Sequence, residues 1–100
     1  DYAALFVALC RAAGVPARPV AGFWANKTDG CHVWAEFMMP TGEWIPVDPS
    51  IGDQGDESRR NCFGNLDNGR VAVAKTFDVR LKGGKGGHQA DFLQFGVWWW

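Results

Sequence analysis

The sequence lacks an excess of either charge. Its 10 Lys and Arg stand against 11 Asp and Glu, a formal net charge of −1. Nothing in that balance draws it to nucleic acid or to an anionic membrane surface. It lacks an apolar run long enough to span a bilayer. It lacks a CxxC pair, and its three cysteines, Cys10, Cys31 and Cys62, are an odd number. That argues against a disulfide framework and favours a reducing, cytoplasmic setting. There is no internal repeat and no Met at position 1. The chain opens at Asp1 inside an apolar periodic run and ends on Trp98-Trp99-Trp100. Both ends read as cuts in a longer sequence, and an N-terminal cut would hide any signal peptide.

What remains is a chain of 100 residues that is 47% hydrophobic, 14% aromatic and 21% charged. This composition excludes disorder and fits one domain, residues 1–100. Residues 1–13 predict a helix, with Tyr2, Leu5, Phe6, Leu9 and Ala13 at helical spacing. Gly14 and Pro16 then end it. Residues 15–24 predict a strand whose two prolines, Pro16 and Pro19, confine its early part to an edge or irregular stretch. Residues 26–30 form a turn cluster.

Residues 31–39 predict the clearest strand, with Val33, Ala35, Phe37 and Met39 on one face and His32, Trp34, Glu36 and Met38 on the other. Residues 40–42 turn the chain, and 43–48 return to complete a hairpin. Residues 50–69 predict a long polar loop. Residues 70–74 predict a short strand and 76–81 another, with Phe77, Val79 and Leu81 on one face. Residues 82–87 are a Gly-rich turn and 90–100 a final strand. One helix followed by antiparallel strands is an α+β architecture, with the helix on one face of the sheet.

The hairpin brings two chemical groups together. A loop of two to five residues around Pro40 sets Asp48 opposite a residue between 32 and 35, so His32 and Asp48 sit close together. A His beside a carboxylate on rigid strands is the base and its orienting partner in a nucleophilic triad. Pattern alone favours the plainer alternative, a structural His–Asp hydrogen bond. Trp34 shares the His32 face, and Glu36 on that face predicts a salt bridge to Arg18 or Arg11. No metal site is expected: Cys31, His32, Cys62 and His88 lack zinc spacing, and adjacent Cys31 and His32 point apart. Residues 82–87 lack the GxxxxGK[ST] pattern of a phosphate loop. Trp98-Trp99-Trp100 fits a strand end better than a carbohydrate platform.

Three motifs resemble one family. Residues 1–18, DYAALFVALCRAAGVPAR, look like the core helix of the transglutaminase-like superfamily, and Gly22-Phe23 match the strand that follows. His32-Val33-Trp34-Ala35-Glu36-Phe37 resembles its His-x-Trp-x-Glu strand. Residues 42–50, GEWIPVDPS, resemble its Gly-x-Trp-x-x-x-Asp-Pro strand. Asn68-Gly69-Arg70-Val71 and residues 77–81, FDVRL, resemble the downstream segment of bacterial members. The resemblance implies a papain-like core, one helix packed on an antiparallel sheet.

It also implies a Cys-His-Asp triad, with His32 as general base, Asp48 as its orienting residue and Trp34 shielding the site or bordering the groove. The cysteine of the family's Cys-x-Asp motif would fall two positions before Asp1. A helix N-terminus lowers a thiol pKa, which suits that position. Cys10 lies about 13 Å along the helix from its start, Cys31 faces away from His32, and Cys62 lies in the loop. None of the three is expected to substitute, so residues 1–100 alone are expected to be inactive.

The expected activity of the parent is thiol acyl chemistry on a peptide or protein amide, without a cofactor. For a bacterial-looking member, peptide hydrolysis is preferred to cross-linking, and Asp53, Asp56 and Glu57 lack the spacing of a calcium loop, which argues against an animal-type transglutaminase. The alternative is a non-catalytic binding or structural module of the same family.

Overall fold

Asp1 supplies the cap of the first helix. In the computed structural model, which describes residues 1–25, 30–52, 62–81 and 88–91, its Oδ1 accepts the N–H groups of Ala3 (2.8 Å) and Ala4 (3.4 Å). These open α1 (Tyr2–Ala12). A carboxylate there satisfies orphan donors and complements the positive end of the helix dipole. At the far end Gly14 adopts φ +80°. Its N–H donates to Arg11 O (3.0 Å), and the Val15 N–H donates to Cys10 O (2.8 Å). This crossed pair is a Schellman motif, which favours glycine because the position is left-handed.

The face that α1 buries differs from the expected stripe. Ala3 and Val7 are buried, and Phe6 and Cys10 pack beside them. Tyr2, Leu5 and Leu9 are 53%, 60% and 61% exposed. Both stripes have helical spacing, so periodicity does not choose between them. The sheet chooses. Phe37 and Phe63 bring bulk from below, and each ring lies about 6 Å from Phe6. The helix positions above the sheet must therefore be small, and alanine and valine let the helix approach closely.

Four strands form the main sheet in the order β3-β2-β1-β4: β1 (Ala17–Trp24), β2 (Cys31–Met38), β3 (Trp44–Val47) and β4 (Arg70–Ala74). All neighbours are antiparallel. Val33, Ala35 and Phe37 face α1, together with Ala17 and Val47. β4 pairs with β1 only from Ala21 to Trp24. The early half of β1, with Pro19, therefore has no partner on that side among the described residues, a position that tolerates a missing N–H. The fold is α+β, a helix over an antiparallel sheet.

Three boundaries depart from expectation. The loop expected from residue 50 begins with a one-turn helix, α2 (Pro49–Gly52). Proline suits the first helical position, and Asp48 caps the turn. The strand expected over 76–81 shrinks to β5 (Val79–Leu81), because Asp78 adopts φ +53° and bends the chain before it. Its partner β6 (His88–Ala90) starts two residues before the expected final strand. Residues 26–29, 53–61, 82–87 and 92–100, which hold most of the expected turns, the polar loop and the Trp-rich end, lie outside the described residues.

Candidate active site

The sheet face opposite α1 carries the candidate residues His32 and Asp48. Ala35 pairs with Val47, so Asp48 falls one step beyond β3, level with Trp34. His32 is two residues back on the same face of β2. Its Nε2 lies 2.5 Å from Asp48 Oδ2. The Asp48 side chain is fully buried, and every neighbour it meets is a donor. Oδ1 accepts from Ser50 Oγ (2.7 Å) and from the Ile51 N–H (3.4 Å). Oδ2 accepts from His32 and also from Arg70 Nη2 (3.0 Å). Burial alone would raise this carboxyl. The hydrogen bonds from His32, Ser50 and Arg70 outweigh it and hold Asp48 below the usual carboxylate range. An ionised Asp48 can only accept, so His32 donates from Nε2.

Two indole rings lie beside the imidazole. Trp24 stacks on it at 4.9 Å between centroids, with planes 29° apart. Trp34 lies nearly parallel at 6.3 Å. Trp34 is itself buried, 5% exposed. Gly22 pairs with His32 in the register and makes the arrangement possible. A Cβ there would lie 2.0 Å from the Val71 carbonyl oxygen and 2.9 Å from Trp34 Cη2. The bare backbone lets β4 close in beside a bulge between Ala21 and Gly22. That approach sets Arg70 opposite Trp24.

The Met38 N–H donates to Pro16 O (2.8 Å), so the C-terminal end of α1 sits at the hairpin end of β2. The N-terminal end therefore points the other way, toward the His32 end of β2, and α1 also contacts α2, which follows Asp48 directly.

Comparison with known proteins bears on the same stretch. The model of the transglutaminase-like superfamily matches residues 1–49, from the capped start of α1 to Asp48-Pro49. Over residues 1–49 the chain is similar to the transglutaminase-like superfamily. It is similar to a protein-glutamine gamma-glutamyltransferase of Pseudomonas aeruginosa, with 33% identity over 60 aligned residues. The match takes in 49% of this chain and 9% of that relative, so the chain spans a small part of the relative's length. No solved structure matches the chain.

Within this transglutaminase-like core, the three cysteines stand apart from the imidazole in different ways. Cys10 lies at the hairpin end among Phe6, Phe37, Met38 and Met39, where burial pushes its thiol up and away from the reactive thiolate. Cys31 is exposed and, as the residue before His32 on a strand, projects from the other face. Cys62 meets the site through its backbone, its carbonyl accepting the Asp48 N–H (2.9 Å). Glu36 pairs with Arg18 (2.8 Å) and also with Lys75 (3.0 Å). Arg11 instead donates to Ala17 O (3.0 Å). Among the described residues, no three His, Cys, Asp or Glu side chains gather to hold a metal ion.

Sequence reasoning did not single out Arg70, Trp24 or Ser50. The signal for Arg70 was its place after the Asn68-Gly69 turn at the start of a strand. Nothing local showed that its guanidinium would be 3% exposed and bound to Asp48.

Proposed function

We propose that this chain carries the base and the orienting carboxylate of a thiol acyl-transfer enzyme acting on a peptide or protein amide. In this reading His32 is the general base and Asp48 holds its ring. The nucleophile is a cysteine two positions before Asp1, at the N-terminus of α1, where the helix dipole favours the thiolate. The observation that carries the reading is the 2.5 Å contact of His32 Nε2 with the buried Asp48 carboxylate, at the end of the sheet toward which α1 points.

The chemistry follows from that geometry. With Nε2 engaged on Asp48, proton exchange falls to Nδ1. The thiol gives its proton to His32, and the thiolate attacks the amide carbonyl carbon. His32 then returns the proton to the departing amine as the tetrahedral intermediate collapses to a thioester. Water, deprotonated by His32, attacks the thioester and releases the acid and the thiol. Asp48 stabilises the imidazolium formed in each transfer. Hydrolysis, as by a cysteine peptidase or amidase, is the first reading. A primary amine in place of water is the second, favoured by the similarity to the protein-glutamine gamma-glutamyltransferase of Pseudomonas aeruginosa.

The test uses the full protein. Hydrolysis of a fluorogenic peptide amide and incorporation of a fluorescent primary amine into casein are measured side by side. One of the two is expected, and His32→Gln should lower it by about 10²–10⁴-fold without a matching loss of folded structure. Iodoacetamide labelling should mark a fast-reacting cysteine two positions before Asp1. Turnover that survives His32→Gln, or a residue other than cysteine at that position, would overturn the reading and leave a binding module.

A further inference from the structure

Arg70 touches both groups that hold the imidazole. Its Nη2 donates to Asp48 Oδ2 at 3.0 Å, the same oxygen that His32 Nε2 meets. Its guanidinium carbon lies 4.2 Å from the centre of the Trp24 ring, and Trp24 stacks on His32. Its Nη1 is anchored in turn by Asp67 Oδ2 at 2.6 Å. Asp67 is held well ionised by the Gly69 N–H and, to a lesser degree, by Arg70. One planar fork therefore ties the carboxylate, the stacked indole and an outer anchor into a single unit.

Lysine could not do this, because a point charge lacks two divergent donors and a flat face. The cost is visible. The Arg70 side chain is 3% exposed, and its Nε is buried without a partner among the described residues. Burying a charge with an unmet donor is not what packing alone selects.

We propose that Arg70 is a positioning residue for the His32–Asp48 pair, fixing Oδ2 and Trp24 so that the imidazole is held in one orientation. The inference rests on the acyl-transfer reading for its kinetic consequence, but its structural consequence is separately measurable. Arg70 acts through Asp48 and Trp24, the groups it contacts. It acts by limiting how far the carboxylate and the ring can turn. Such supporting contacts matter because misplacement of a catalytic group by about 1 Å is enough to cost about 100-fold in rate.

The experiment uses the full protein with Arg70→Gln, Arg70→Lys and Asp67→Asn. Proton NMR follows the low-field resonance of the His32 Nε2–H, and kcat and KM are measured on the fluorogenic peptide amide. In Arg70→Gln the resonance should move upfield or be lost to solvent exchange. The kcat should fall about 10- to 100-fold with KM little changed. Arg70→Lys should recover only part of kcat.

Asp67 is 56% exposed, so Asp67→Asn tests the same anchor without burying a new group. It should shift the resonance in the same direction and lower kcat a few-fold. An unchanged resonance and kcat in Arg70→Gln, or in Asp67→Asn should Arg70→Gln fail to fold, overturns the inference even where the melting temperature drops. Activity that survives His32→Gln instead removes the acyl-transfer reading, and the NMR result then judges the positioning role by itself.

Discussion

The two faces of the main sheet are built by opposite means. The face under α1 is closed by Ala3, Val7, Ala17, Ala35 and Val47, each no more than 5% exposed. These residues are all apolar, and their order comes from close packing. The other face holds His32, Asp48, Arg70, Glu36 and Arg18 among indole rings. Its order comes from a network in which Asp48 accepts four hydrogen bonds. Apolar packing tolerates small shifts, because it is not directional. A buried ionic network does not, because losing one member strands another. The same strands therefore serve stability on one side and orientation on the other.

The sharpest way to break this contrast is Asp48→Asn. It removes the charge that Arg70 and His32 share in burial, and unfolding by urea should show a loss of about 3–5 kcal/mol. The change also has a pH signature. The folded Asp48 carboxyl is held below its unfolded value. Its contribution is therefore complete above about pH 4 and is lost as acidity carries the pH down through the folded value. Stability of the parent should fall along that limb, and the limb should flatten in Asp48→Asn.

A smaller effect is expected on the packed face. Ala3→Leu inserts a larger side chain where α1 meets the sheet and should cost about 1–3 kcal/mol. The His32 proton resonance should persist there, since the network lies on the other side. If it vanished, the two faces would be coupled and the contrast would fail. The smallest effect belongs to the exposed margin of the network. Glu36 pairs with Arg18 and Lys75, whose side chains are 29% and 48% exposed. Glu36→Gln should cost about 1 kcal/mol or less, and the difference should shrink in high salt.

The hairpin was legible because its rules are local. Loop length around Pro40–Gly42 and a period of two set Asp48 near His32, and the observed register places it level with Trp34. The end of α1 was legible for the same reason, through Gly14, whereas the capping role of Asp1 came only from the structure. The buried side of α1 was not. Two stripes satisfy a period of 3.6, and the choice rests on Phe37 and Phe63, which are distant in sequence.

Arg70 was not legible as part of the site either. It reaches Asp48 across 22 residues of chain only because Gly22, in a third segment, lets β4 approach β1. The one-turn helix α2 lay hidden in a stretch whose composition is that of a loop.

By itself, then, the sequence determined where α1 stops and which residues of the hairpin share a strand face, because backbone periodicity and helix-stop signals act within a few residues. It also carried the family motifs of residues 1–49. Only the tertiary structure decided which helix face is buried, that Trp24 stacks on His32, and that Arg70 shares an oxygen with it. Those outcomes depend on steric fit and charge pairing between segments far apart in the chain, and no local pattern encodes them.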